Sequence, residues 1–558
     1  MDIKFPIFIE PEHFIIKMKL GFKILTPQST SHIQDKFLII TVRQVALYLC
    51  FKDVLFNHRV CETLANAGHD VTFIRVTVYE TDFTALATPK GVKAHSVNAS
   101  TGASFERFEA AQSESLFKEY SLFDSQRYTG SGVMFMLETV VKSCENLLQN
   151  KEFIEWLRRE RFDLAFTHMF EACPIGLIHH VKIPSWVWLN SAPLLDFVAS
   201  SVGVPLPPSY VPPMVMAVKD SMTFTERLKS FVGHGLLSIL YPRTVTRPET
   251  AMFRKYIDPN FPDLGELSSK APLVMVNSDE LYDFPRPTLH KVINIGGIGV
   301  DFKDARNLSG EFATAAEKAK HLVVFTFGSI VDMTKMPESW KGSWLAAFAE
   351  FPDVQFFVRY KSNDLKDRIP ENVLLSKWLP QADLLQHPKT RAFITHGGYN
   401  GFQETLSAGK PAIVIPFFSD QPRNAELAEK LGFGIKIHKS EVSKDTIVSA
   451  LREILYNKKY SDSAQRLMKM IRAKPVPASQ LLVRWTEFAA EFGALENLVP
   501  YGINLNFIQY HSLDVTAFLI TFIGVLICIV IKFALICIRL FSKKFRKEIG
   551  SKPKIKKQ

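Results

Sequence analysis

Ala392–Asn424 reads AFITHGGYNGFQETLSAGKPAIVIPFFSDQPRN, and its punctuation decides the architecture of the second half of the chain. A β-rich run, Ala392–Thr395, leads to His396 and the turn Gly397–Gly398. A helical segment from about Asn400 to Ser407 follows, then Gly409, Pro411 and a second apolar strand, Ala412–Ile415. In a strand–glycine turn–helix–strand unit the helix N-terminus presents backbone N–H groups that have no partner within the helix. Those donors and the helix dipole favour an anion such as a phosphate. His396 can add a side-chain donor, Glu404 can accept from a ribose, and Asp420 with Gln421 can bind hydroxyls. A Gly–Gly turn alone is a common loop device. The spacing His-Gly-Gly-x-Asn-Gly-x-x-Glu, followed by Asp-Gln after the next strand, is far more specific.

Outward from this unit the same alternation continues. Runs with strand character recur at His321–Phe327, Val354–Arg359 and Val373–Ser376, and helical patterns at Arg452–Met470 and Ser479–Phe488 close the half. The first half shows strands at Phe22–Leu25, Val71–Val76, Leu164–Thr167, Ser185–Leu189 and Leu273–Val276. Between the first two, Phe56, Val60, Leu64 and Ala67 repeat at helical spacing. Alternating strands and helices predict doubly wound α/β domains, and 558 residues are too many for one core. The division falls near Gly299–Glu317, giving a first domain over residues 22–298 and a second over 299–500. Gly203–Arg247, rich in Pro, Phe and Met, lacks strand rhythm and reads as irregular apolar loops over a binding pocket.

Val515–Ile538 is almost purely apolar, and its 24 residues would span about 36 Å as a helix, enough for a bilayer core. Lys532 near one end can snorkel to the headgroups. Residues 539–558 form a basic tail; from Phe541 on it supplies +7 of the formal net charge of +11. The charge therefore marks a tail rather than a nucleic-acid surface, and no basic patch interleaved with aromatics occurs. By the positive-inside rule the tail is cytoplasmic and everything before Asp514 lumenal. Asn98-Ala-Ser and Asn307-Leu-Ser are glycosylation sequons consistent with that side. The six cysteines show no paired spacing, which argues against a disulfide framework and a cysteine zinc site. Residues 1–21 are charged and lack the apolar stretch of a signal peptide.

Together the signature, the Trp378-Leu-Pro-Gln381 loop, the stretch Gln509-Tyr-His-Ser-Leu-Asp514 and the C-terminal anchor resemble the animal UDP-glucuronosyltransferases. The resemblance covers most of the chain. It implies a GT-B fold, two Rossmann-like domains facing a cleft, and an inverting transfer of glucuronic acid or glucose from a UDP-sugar to a hydroxyl of a small lipophilic acceptor. It further implies residence in the endoplasmic reticulum membrane as a single-pass type I protein, and the tail's Lys554-Ile-Lys556 resembles a dilysine retrieval signal. UDP-sugar is then a co-substrate and no cofactor is expected; homo- or hetero-oligomerisation stays open. An alternative is a UDP-sugar-binding subunit of the same fold with impaired catalysis.

Carried over by motif, Trp378 stacks on uracil, Gln381 and Glu404 bind the ribose, and His396 with the backbone of Gly398, Asn400 and Gly401 holds the diphosphate. Asp420 and Gln421 bind the sugar, with Ser329 a further phosphate-side candidate and Arg423 a weak one for a sugar carboxylate. No carboxylate pair has metal-ligand spacing, so no metal is expected. The acceptor hydroxyl needs a general base. The family places it in a Ser-His pair after the first strand, here Ser31-His32, with His58 an alternative. The family's partner Asp is replaced by His168, and Glu171 three residues on is a substitute. Asp35–Leu55 separates Ser31-His32 from the following helix, and its excision restores the family spacing, so an insertion is inferred there.

Overall fold

The computed structural model describes residues 37–43, 51–79, 88–103, 116–117, 133–299, 306–328 and 331–550. Two parallel sheets organise them. The first contains β1 (Phe37–Arg43), β2 (Asp70–Thr77), β3 (Val92–Asn98), β4 (Leu164–His168), β5 (Ser185–Asn190), β6 (Leu273–Val276) and β7 (Val292–Asn294), in the order β3-β2-β1-β4-β5-β6-β7. The second contains β8 (His321–Thr326), β9 (Val354–Arg359), β10 (Val373–Ser376), β11 (Thr390–Thr395), β12 (Ala412–Val414) and β13 (Gly434–Lys436), in the order β10-β9-β8-β11-β12-β13. Each order reverses beside its first strand, the topological switch point where α/β sheets bind ligands. The central strands are buried on both faces, as the continuous apolar runs VVFT and FIT require.

The helices used below are α1 (Phe51–Asn66), α2 (Val133–Gln149), α3 (Cys173–Val181), α4 (Asp196–Val202), α5 (Phe224–Tyr241), α6 (Tyr399–Ala408), α7 (Gln421–Lys430), α8 (Ala478–Phe492) and α9 (Leu513–Gly550). Phe56, Val60 and Leu64 of α1 are buried against Val71 and Phe73, as their spacing predicts, whereas Ala67 lies just past the helix end and is exposed. Leu482 and Ala489 of α8 join that same cluster, and Ser185 Oγ donates to Gly493 O at 3.1 Å. The chain therefore returns to seal the first sheet, whereas the sequence reading gave this helix to the second half.

Several expectations change. The slot between β2 and β4 is filled by Phe37–Arg43, whose residues pair in register on both edges, Ile39 with Thr72 and with Ala165. Asp35–Leu55, inferred as an insertion, thus contributes a central strand and the first turn of α1, because FLIITVR has the β-branched content of a buried strand. The strand expected at Phe22–Leu25 lies outside the described residues. Gly203–Arg247 is not irregular throughout: Thr223 and Glu226 form a capping box that starts the 18-residue α5. The helix read over Arg452–Met470 is two, Lys444–Tyr456 and Lys458–Arg472, split where Asn457 turns out of helical geometry and caps the second.

The cysteines also depart from expectation. Cys144 in α2 and Cys173 at the start of α3 form a disulfide with Cα atoms 5.9 Å apart. Their separation of 29 residues carries no motif, since helix packing brings them together. The bond closes a loop that costs the unfolded chain entropy, so Cys173→Ala should destabilise the first domain by about 2–4 kcal/mol. Thermal unfolding with and without reductant checks this: the unsubstituted chain should lose stability on reduction and the variant should not respond.

Candidate active site

The turn after β11 sets the site. Gly397 adopts φ +82° and Gly398 caps α6, whose first internal bond runs from Phe402 N–H to Gly398 O at 3.0 Å. The N–H groups of residues 399–401 therefore lead out of the helix end, where Asn400 and the buried Gly401 sit. The His396 ring lies between two glycines. A Cβ on Gly398 would approach His396 Nε2 to 2.5 Å, and one on Gly328, where φ is +75°, would approach Cε1 to 2.6 Å. Only residues without a side chain let the imidazole stand at the helix mouth. Thr395 Oγ1 lies 3.4 Å from its Nδ1.

Around this point the expected ribose and base groups converge. Gln381 Nε2 donates to Glu404 Oε2, joining the start of the helix after β10 to α6. Trp378 is 64% exposed, so it is no core aromatic. The Arg359 guanidinium lies 5.2 Å from its ring centroid and also donates to Gly328 O and Lys377 O. Arg359 thus ties the glycine beside His396 to the exposed indole, a role the sequence did not reveal because β9 reads simply as a buried strand.

On the other side, Asp420 precedes α7 after Ser419, a non-glycine residue at φ +59°. Backbone strain of this kind persists where surrounding contacts enforce it. Asn424 Nδ2 donates to Asp420 Oδ2 at 2.7 Å and to Gly397 O at 2.9 Å, so one amide fixes the carboxylate relative to the glycine turn. Burial pushes the Asp420 carboxyl up while Asn424 holds it down. Gln421 is buried, and its Oε1 accepts from Phe417 N–H at 2.9 Å and Phe418 N–H at 3.2 Å, which leaves its amide nitrogen as the end able to donate to a sugar. Arg423 is buried in an ion pair with Asp283 at 2.5 Å and lies over Phe284, so its charge is committed within the protein.

The first domain grips the back of α6. Gln403 Nε2 donates to Asn277 O at 3.2 Å, Asn277 Oδ1 at 3.0 Å and Tyr282 Oη at 2.9 Å, all buried, and Tyr399 Oη donates to Ser278 Oγ at 2.9 Å. These residues escaped the sequence reading because a Gln on an apolar helix face signals nothing until its partners are known.

The acceptor side is less complete. His32 and Ser329 lie outside the described residues. His168 ends β4 fully buried, 3.4 Å from Ser191 Oγ, and burial pushes its imidazole down to about 3. It is neutral at working pH and cannot stabilise a neighbouring imidazolium by charge. Glu171 is also buried, close enough to raise the Tyr241 phenol electrostatically. His58 lies in the third turn of α1 rather than the first, edge-on to Phe73 at 5.1 Å, and burial and Arg75 push its imidazole down. Among the described residues no three His, Cys, Asp or Glu side chains form a metal-holding group.

The family profile described as UDP-glucoronosyl and UDP-glucosyl transferase matches residues 44–548. This chain belongs to that family. It is 32% identical over 504 residues to ugt-48 of Caenorhabditis elegans, covering 88% of this chain and 93% of that protein. It is 31% identical over 458 residues to human UDP-glucuronosyltransferase 1A5, covering 81% and 82%. The glycotransferase of kitacinnamycin superposes with TM-score 0.56 at 17% identity, over 84% of this chain and all of that one. SnogD from Streptomyces nogalater gives 0.51 at 17%, over 82% of this chain and all of that one. The fold is GT-B and the family member is a UDP-sugar-dependent glycosyltransferase with an apolar C-terminal helix able to cross a membrane.

Because the imidazole fits only between two glycines, Gly398→Ala should displace it and weaken UDP binding by about tenfold or more, the effect of losing one charge-assisted contact. Calorimetric titration with UDP measures the affinity, and circular dichroism should show unchanged secondary structure.

Proposed function

We propose that the chain transfers glucuronic acid or glucose from a UDP-sugar to a hydroxyl of a small lipophilic acceptor, with inversion at the sugar carbon. What carries the reading is the convergence of His396, the α6 N-terminus, Glu404–Gln381 and the exposed Trp378 on one place, each suited to a different part of a uridine diphosphate. The His396 donor, the backbone N–H groups and the dipole of α6 at the diphosphate stabilise the charge that develops on the leaving group. His32 acts as the base that takes the acceptor proton, and Ser329 adds a phosphate contact. Asp420 and Gln421 orient the sugar. With Arg423 engaged by Asp283, recognition of a glucuronate carboxylate would need another cation, which favours testing glucose alongside glucuronic acid.

A second reading, a UDP-sugar-binding subunit with impaired catalysis, draws support from the neutral, buried His168 at the position of the base's partner. Incubating the membrane-embedded protein with each UDP-sugar and a panel of phenols separates the two. Transfer lost in His396→Ala and Glu404→Ala supports the enzyme. UDP binding without any transfer supports the subunit. No UDP binding at all overturns the site.

The protein resides in the endoplasmic reticulum membrane with residues before Asp514 in the lumen. The Cys144–Cys173 disulfide fits an oxidising compartment, and Asn98 and Asn307 of the two sequons are exposed. Protease added to sealed microsomes should therefore remove only the basic tail. Digestion of the bulk of the chain would reverse the topology.

A further inference from the structure

The helix α5 is built inside out. Phe224, Leu228, Phe231, Leu236 and Ile239 fall on one stripe and are 50–72% exposed. Its buried residues are Ser230, His234 and Tyr241: His234 Nε2 and Ser230 Oγ donate to Val211 O at 2.9 and 3.5 Å, and the Tyr241 ring stacks on Phe197. A helix of a soluble domain normally turns its apolar stripe to the core, so this stripe calls for a cover. The occupant is indicated by where the helix stands. Ser238 of α5 meets Ser200 of α4 at 3.4 Å. Gly203, the C-terminal cap of α4, is pressed by Pro500 and Ile503; a Cβ there would meet them at 2.8 and 2.9 Å. Ten residues beyond Ile503 the chain becomes α9, whose apolar length is entirely exposed. Even fully extended, ten residues reach about 35 Å, and a short helix at Phe507–Tyr510 shortens the path. Phe507 and Tyr510 along it, and Tyr501 just before it, are exposed aromatics of the kind that settle at headgroup level. Arg227, Lys229 and Arg243 stand exposed around the stripe, placed to meet lipid phosphates.

We propose that α5 lies in the surface of the bilayer that α9 spans, its stripe among the acyl chains, so that the first domain holds a second, peripheral contact with the membrane. This contact is independent of the donor site and of the reaction.

The test uses the full chain in phosphatidylcholine–phosphatidylserine vesicles, in a background of Cys50→Ser, Cys528→Ser and Cys537→Ser. A polarity-sensitive fluorophore is attached at Leu236→Cys, at Phe231→Cys, and at Tyr456→Cys as an exposed control in the second domain. The proposal expects blue-shifted emission at 231 and 236, quenched several-fold more strongly than at 456 by lipids with a nitroxide near the headgroup. Quenching at 231 and 236 no greater than at 456 overturns it. A blue shift that disappears when the protein is diluted into excess lipid would assign the stripe to a second copy of the chain and also overturn it.

Discussion

The proposed donor site depends on how the helix α6 is held. Its N-terminus must face the cleft while its other side carries Gln403 and Tyr399, which are buried against the loop that follows β6 of the opposite sheet. A buried amide with three acceptors in reach is satisfied only in one arrangement, and leaving such groups unpaired costs about 1–3 kcal/mol each. Lys474 reinforces the junction by pairing with Asp279 at 2.7 Å and Glu280 at 2.9 Å, and Arg423 by pairing with Asp283. One loop, residues 277–283, thus binds three separate elements of the second domain. The N–H groups at the mouth of α6 are aimed because its back is fixed.

From that constraint the front follows. The glycines flanking His396 permit its position, Asn424 ties the glycine turn to Asp420, and Arg359 ties Gly328 to Trp378. Asp420 and Trp378 are thus braced by Asn424 and Arg359, two neighbours outside the signature. Pre-organisation of this kind lets a site favour developing charge without reorganising during reaction.

The strand–turn–helix–strand unit around His396 was legible because it is local, falling within one continuous stretch, and Leu273–Val276, Val354–Arg359 and Val373–Ser376 have the bounds their patterns predict. Short edge strands such as Val292–Asn294 and Gly434–Lys436 were missed because three residues carry no periodicity. The Cys144–Cys173 pairing, the Gln403 network and the Arg359 bridge are long-range facts that no spacing encodes. Upstream of α1, Asp35–Leu55 reads as an apolar run interrupted by Arg43, and only the pairing of Phe37–Arg43 with β2 and β4 shows a strand there. The segment of α5 reads as irregular loop because it is rich in Pro, Phe and Met, and the outward direction of its apolar stripe shows only in three dimensions.

On the proposed function, the glycine-flanked His396 and the N-terminus of α6 hold the diphosphate of a uridine nucleotide whose base rests on Trp378. A crystal or cryo-electron microscopy structure of the chain with UDP bound tests it most directly. Phosphate oxygens are expected within about 3.2 Å of His396 and of the backbone N–H groups at the helix mouth, with uracil covering the exposed face of Trp378 and the ribose at Glu404. UDP bound elsewhere, or with Trp378 left uncovered and the helix mouth free of phosphate, would contradict it.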